Sequence, residues 1–149
     1  STFALDFIHS DRSIFKIVDL DEAWAFLNVA QGETLSNKLV RAGRAMNAGV
    51  YFVTQSSGDV SKESLKNNIG LKFAFRSTDT NEIKQTLEFF GLDSEDENNQ
   101  KRLRDLENGQ CLMQDLYGRV GVVQIHPVFV ELLHAFDTRP PIKSEVDLE

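Results

Sequence analysis

Two short polar clusters, each at the end of an apolar run, hold the residue types that phosphoryl transfer uses. The first is Asp21-Glu22, which follows Ser13-Ile14-Phe15-Lys16-Ile17-Val18-Asp19-Leu20. An acid pair at the carboxyl end of a strand lies where open α/β sheets bind their ligands. There Asp21 can hold the Mg²⁺ that bridges nucleotide phosphates, while Glu22 orients or deprotonates the attacking water. The two carboxylates can divide these tasks because the strand ends at the pair, so that one faces the metal and the next the water. The same pair also suits a helix start, where acids stabilise the first-turn amides. The second cluster is Gln55-Ser56, after Val50-Tyr51-Phe52-Val53-Thr54. A glutamine at a neighbouring strand tip can sense a terminal phosphate or hold the water, and equally can bond loop backbone. Arg44 precedes this second strand, and Arg76 follows a third apolar run. Either can reach a phosphate of its own or a neighbouring subunit, a contact worth roughly 10³ to 10⁵ in rate. Each also suits a surface or ion-pair role.

Other chemistries find little support. His9, His126 and His134 show no helical ligand pairing and have a single cysteine among them, which argues against a structural zinc site. No nucleophile elbow surrounds Ser56 or Ser57. Cys111 reads as a small buried apolar residue. Sixteen basic and twenty-three acidic residues among 149 give a formal charge of −7, the wrong sign for gripping a nucleic-acid backbone, so no direct DNA binding is expected from this chain. There is no signal peptide, no long apolar span and no partner for the lone cysteine, which points to a soluble intracellular domain. The opening Ser1-Thr2-Phe3 suggests a piece of a longer polypeptide.

The elements that must position these residues follow from hydropathy. Apolar, β-branched runs predict strands at Ser13–Leu20, Val50–Thr54 and Leu71–Phe75, the first two buried on both faces. Helical spacing predicts helices over Glu22–Ala30, Glu33–Met46 and Ser61–Ile69. A further helix is capped at Thr80, with Ile83, Leu87 and Phe90 on one face and Gly91 at its end. Asp93-Ser94-Glu95-Asp96-Glu97 begins a solvated helix whose basic end at Lys101, Arg102 and Arg104 agrees with the helix dipole. Cys111–Asp115 and Arg119–Ile125 form an antiparallel hairpin around Leu116-Tyr117-Gly118. Val128–Phe136 forms a last amphipathic helix, and residues 137–149 read as a flexible tail behind a folded unit of 1–136. The class is α/β, with a mainly parallel sheet, flanking helices and a C-terminal antiparallel hairpin.

The segments IFKIVDLDEAWAFL, GRAMNAGVYFVTQSSGDV, LKNNIGLKFAFRSTD and ENGQCLMQDLYGRVGVVQIHP together resemble the C-terminal part of VirB/TrbE-type conjugation and type IV secretion ATPases, including those of conjugative transposons. The wider resemblance is to HerA/FtsK-like motors of the RecA fold. It implies a partial RecA-like P-loop NTPase fold in which Asp21 is the Walker B aspartate, Glu22 the catalytic glutamate and Gln55 the sensor. It further implies Arg44 as a finger across a subunit boundary, with Arg76 in a further arginine-bearing segment, and ATP and Mg²⁺ as cofactors. None of the nine glycines is followed by lysine, so the phosphate-binding GxxxxGK[ST] loop is not in this chain. The piece is therefore expected to be inactive alone and to need its own upstream P-loop segment. The parent is expected to be a hexamer working with other secretion components at the inner face of the bacterial membrane. Two alternatives stay open, a non-hydrolytic RecA-like assembly module and a HerA/FtsK-type DNA translocase.

Overall fold

A computed structural model describes residues 10–28, 30–43, 45–59 and 66–135. Strand β1 (Lys16–Leu20) leads through helices α1 (Ala23–Leu27) and α2 (Ala30–Gly43) to β2 (Ala48–Phe52). The two strands pair in parallel, from Lys16 against Ala48 to Leu20 against Phe52. A short 3-10 turn at Ser57–Asp59 follows, then β3 (Lys72–Ala74), helices α3 (Thr80–Phe90) and α4 (Glu97–Arg104), the hairpin β4 (Gln110–Gln114) and β5 (Val120–Gln124), and α5 (Val130–Ala135). The α/β class, the parallel pair and the antiparallel hairpin are those expected. The third strand joins the hairpin, with Lys72 opposite Gln114, in a three-stranded antiparallel sheet ordered β3-β4-β5. Two helices separate β3 from β4, so the chain re-enters at the end where β3 finished, which makes the pairing antiparallel.

Local chemistry sets the boundaries. β1 starts later than its apolar run because Asp11 accepts from both the backbone N–H and the hydroxyl of Ser13 and ties the chain into a turn. α2 ends at Gly43, and the approach of β2 requires glycine there, since a Cβ would stand 2.9 Å from the Ala48 carbonyl oxygen. Asn47 then turns the chain at φ 51°, and β2 starts two residues before Val50. The cap of α3 is Asp79 rather than Thr80; its carboxylate accepts from the Glu82 N–H at 2.8 Å. Asp96 caps α4 in the same way, and Lys101, Arg102 and Arg104 fill its last turn. Of the expected Ser61–Ile69 helix, residues 61–65 lie outside the described residues, as does the segment 137–149.

Apolar burial divides into two clusters. The larger joins Ala23 and Leu27 of α1, Ile83, Leu87, Phe89 and Phe90 of α3, Leu103 of α4, Leu106, and Leu112 of β4. The smaller joins Val18, Leu39 and Met46, fixing α2 to β1. The expectation of strands buried on both faces is corrected here, since Ile17 and Tyr51 remain 59% and 55% exposed. Successive side chains point to opposite faces of a strand. Among the described residues only the face bearing Val18 is packed. α5 likewise buries none of its residues.

The C-terminal carbonyls of α3 are satisfied by side chains. Lys66 donates to Glu88 O, the buried Lys72 donates to Phe89 O at 2.9 Å, and Gln114 donates to Phe90 O at 2.9 Å. The Lys72 ammonium also lies 4.7 Å from the centre of the Phe89 ring. Burial, with a smaller push from Lys66, lowers the Lys72 pKa below 10.5. Lys72→Met leaves the Phe89 carbonyl without this donor and is expected to cost about 1–3 kcal/mol. Between the lowered folded value and 10.5, the unfolded chain keeps a proton that the folded chain has released. Stability linked to Lys72 therefore rises with pH across that window. Urea titrations near neutrality and near 10.5 should show the wild type gaining on Lys72→Met at the higher pH.

Candidate nucleotide-site half at the parallel strand tips

The parallel register carries the ends of β1 and β2 out side by side. Beyond the strands, Val53 N–H donates to Leu20 O at 3.0 Å and Ala23 N–H to Val53 O at 2.9 Å, so backbone bonds close over the tips. This fixes Asp21-Glu22 beside the segment that carries Gln55. Across 33 residues of sequence, the Gln55 Nε2 donates to Glu22 Oε1 at 2.9 Å. A carboxylate only accepts, so the donor end of the amide must face it. Both side chains are exposed, as is Asp21. Asp21 Oδ1 accepts from the Glu22 backbone N–H at 3.0 Å.

Glu22 has a backbone φ of 52°. Asn47, the other described non-glycine residue at positive φ, belongs to a type that tolerates this region. Glutamate does not, and such a conformation costs on the order of 1–3 kcal/mol. Strain of this kind concentrates at functional sites, and here it falls on the acid that Gln55 contacts.

A third acid, absent from the sequence reading, holds the Gln55 loop from behind. Glu82, in the first turn of α3, accepts from the Ser56 hydroxyl at 2.8 Å, the Ser57 N–H at 2.7 Å and the Ser57 hydroxyl at 2.9 Å. Thr86, one turn further on, donates to the Ser57 hydroxyl at 3.1 Å. Thr54 donates to Asp59 at 2.9 Å within the same loop. The Asp79-x-x-Glu82 spacing is a helix-start signal that could have placed Glu82 at the mouth of α3, but nothing local points to serines 25 and 26 residues upstream.

The remaining candidates are not brought to this point. Arg76 is exposed on the segment after β3, and among the described residues no hydrogen bond or ion pair links it to Asp21, Glu22 or Gln55. Arg44 lies outside the described residues. Cys111 is fully buried in β4, and burial pushes its thiol pKa up, which suits packing and not nucleophilic attack. Gly109, at φ 80°, makes the turn into β4, and its carbonyl accepts from Ile125 N–H. Among the described residues no three His, Cys, Asp or Glu side chains gather as a metal-binding group. Mg²⁺ in nucleotide sites asks less of the protein, since one or two carboxylates suffice when phosphates and waters complete the shell. An exposed carboxylate at a strand tip, as at Asp21, fits that share.

Among the described residues no helix is long and apolar enough to cross a membrane. The family model for the AAA-like domain matches residues 1–136. The chain is 34% identical over 119 residues to the uncharacterized protein YddE of Bacillus subtilis (strain 168), a match covering 80% of this chain. It spans only 14% of that relative's length.

Proposed function

Since the chain belongs to the AAA-like domain family, whose members use a nucleotide with Mg²⁺, we propose that it supplies the Walker B half of an ATP-hydrolysing domain. The observation carrying this reading is the Gln55–Glu22 hydrogen bond across two parallel strand tips. When bound, Mg·ATP provides the transferable phosphoryl group and neutralises charge around it. Asp21 is the residue that holds the metal. Glu22 orients the attacking water and takes up its proton at the carboxylate. Gln55 fixes the direction of that carboxylate through its amide and stands ready to sense the terminal phosphate. On the resemblance, Arg44 serves a phosphate contact across a subunit boundary, and Arg76 lies in a further arginine-bearing segment. The P-loop comes from an upstream segment of the parent protein. That parent works as a hexamer in conjugative DNA transfer or type IV secretion, with other secretion components, at the inner face of the membrane. Support for this larger role is the resemblance of the DEAW and TQS segments at their spacing.

The test is Gln55→Ala in the full-length protein. Loss of the amide frees the Glu22 side chain to leave its working direction, and kcat should fall about 10- to 100-fold. The Kd for ATP should stay within about threefold, because the interaction serves chemistry more than binding. An unchanged kcat would count against the assignment.

A further inference from the structure

We propose that Glu82 is a positioning residue of this site, acting through the Ser56-Ser57 loop to hold Gln55 against Glu22. The inference rests on the reading of Glu22 and Gln55 given above. Gln55 lies on the segment that follows β2, and its own side chain is exposed, so packing does not fix it. The next two residues, however, are pinned. Three donors from Ser56 and Ser57 converge on the one Glu82 carboxylate at 2.7–2.9 Å, and the Thr86 hydroxyl closes the group from the next turn of α3. Hydrogen bonds to a charged acceptor are about twice as strong as neutral ones. The backbone that carries this carboxylate is itself held in place, since the Glu82 N–H is bound by the capping Asp79 and α3 is anchored by the fully buried Ile83 and Leu87. A rigid helix thus sets the position of the loop, and the loop sets the reach of Gln55. Because both Ser56 and Ser57 are tied, the backbone immediately after Gln55 has little freedom to swing away from the tip of β1.

Geometry, not net charge, is what this role requires. Glu82→Gln keeps an oxygen that accepts from Ser57, while its amide donates to the Ser56 hydroxyl, which can turn to accept. Glu82→Ala removes all three acceptor contacts.

In the full-length protein, Glu82→Ala should lower kcat about 10- to 100-fold with the Kd for ATP nearly unchanged, and Glu82→Gln should restore most of the rate. Combining Glu82→Ala with Gln55→Ala should add no further loss, because the first residue acts through the second. Loss of fold alone would give additive effects. Additive losses, wild-type kcat in Glu82→Ala, or a folded Glu82→Gln as slow as the alanine variant would each overturn the inference. If Glu82→Ala does not fold, Ser57→Ala takes its place: a several-fold kcat loss that vanishes in the Gln55→Ala background supports the inference, and an additive or absent loss overturns it. Glu22→Gln run in parallel separates the two levels. Wild-type turnover there would overturn the reading of the site and this inference with it, whereas a dead Glu22→Gln beside additive Glu82 and Gln55 effects would overturn this inference alone.

Discussion

Glu22→Gln in the full-length protein is expected to lower ATP turnover by at least about a hundredfold while leaving ATP affinity within a few-fold of wild type. The substitution is chosen to change one property. Glutamine has the same length and keeps a carbonyl oxygen able to accept from the Gln55 amide, so the 2.9 Å contact can persist. The backbone requirement at φ 52° is also no worse for glutamine than for glutamate. What disappears is a carboxylate able to receive a proton from water. Steady-state hydrolysis together with equilibrium binding of ATP separates the two quantities. Equal losses in both would mean that Glu22 serves binding, and full turnover would remove it from the chemistry.

The second large effect concerns stability. Leu87 is fully buried in α3, in the cluster that joins α1, α3, α4 and β4. Leu87→Ala deletes buried carbon and leaves a cavity that four elements cannot easily close, so a cost of about 3–5 kcal/mol is expected. Domains of this size have roughly 5–15 kcal/mol in total, so this is a large share. A urea titration should show a lower midpoint with an unchanged slope. A loss under about 1 kcal/mol would mean that α3 does not serve as the central packing element.

The elements nearest the site were the most legible in the sequence. Asp21-Glu22 and Gln55-Ser56 each follow a near-continuous apolar, β-branched run, and such a run with a polar end is enough to place them at strand tips. The face of α3 was legible for the same reason, since Ile83, Leu87 and Phe90 repeat at helical spacing and all are buried. Two features that depend on partners distant in the chain could not be read. The antiparallel pairing of Lys72 with Gln114 depends on two intervening helices reversing the chain. The Glu82 contacts to Ser56 and Ser57 join an ordinary helix start to an ordinary polar loop, and neither has a local pattern that names the other. The exposed faces of Ile17 and Tyr51 escaped for a different reason: apolarity reports a preference for burial, not the presence of a covering layer.

The unequal size of the two apolar clusters has a consequence for the order in which this chain gains its working form. The larger body is built from α1, α3, α4 and β4, and the parallel pair reaches it through the partly buried Leu20 and Phe52. The parallel pair depends on the three buried residues Val18, Leu39 and Met46, and on closing the long crossover through α1 and α2. Such non-local pairing must meet its loop-closure entropy before its contacts reward it. The meeting of Glu22 and Gln55 is therefore expected to open before the main body does, which faster amide hydrogen exchange at Val53 than at Leu87 would show. On that expectation the chain would lose its competence for chemistry before the integrity of its main body, with the small cluster of Val18, Leu39 and Met46 deciding the difference.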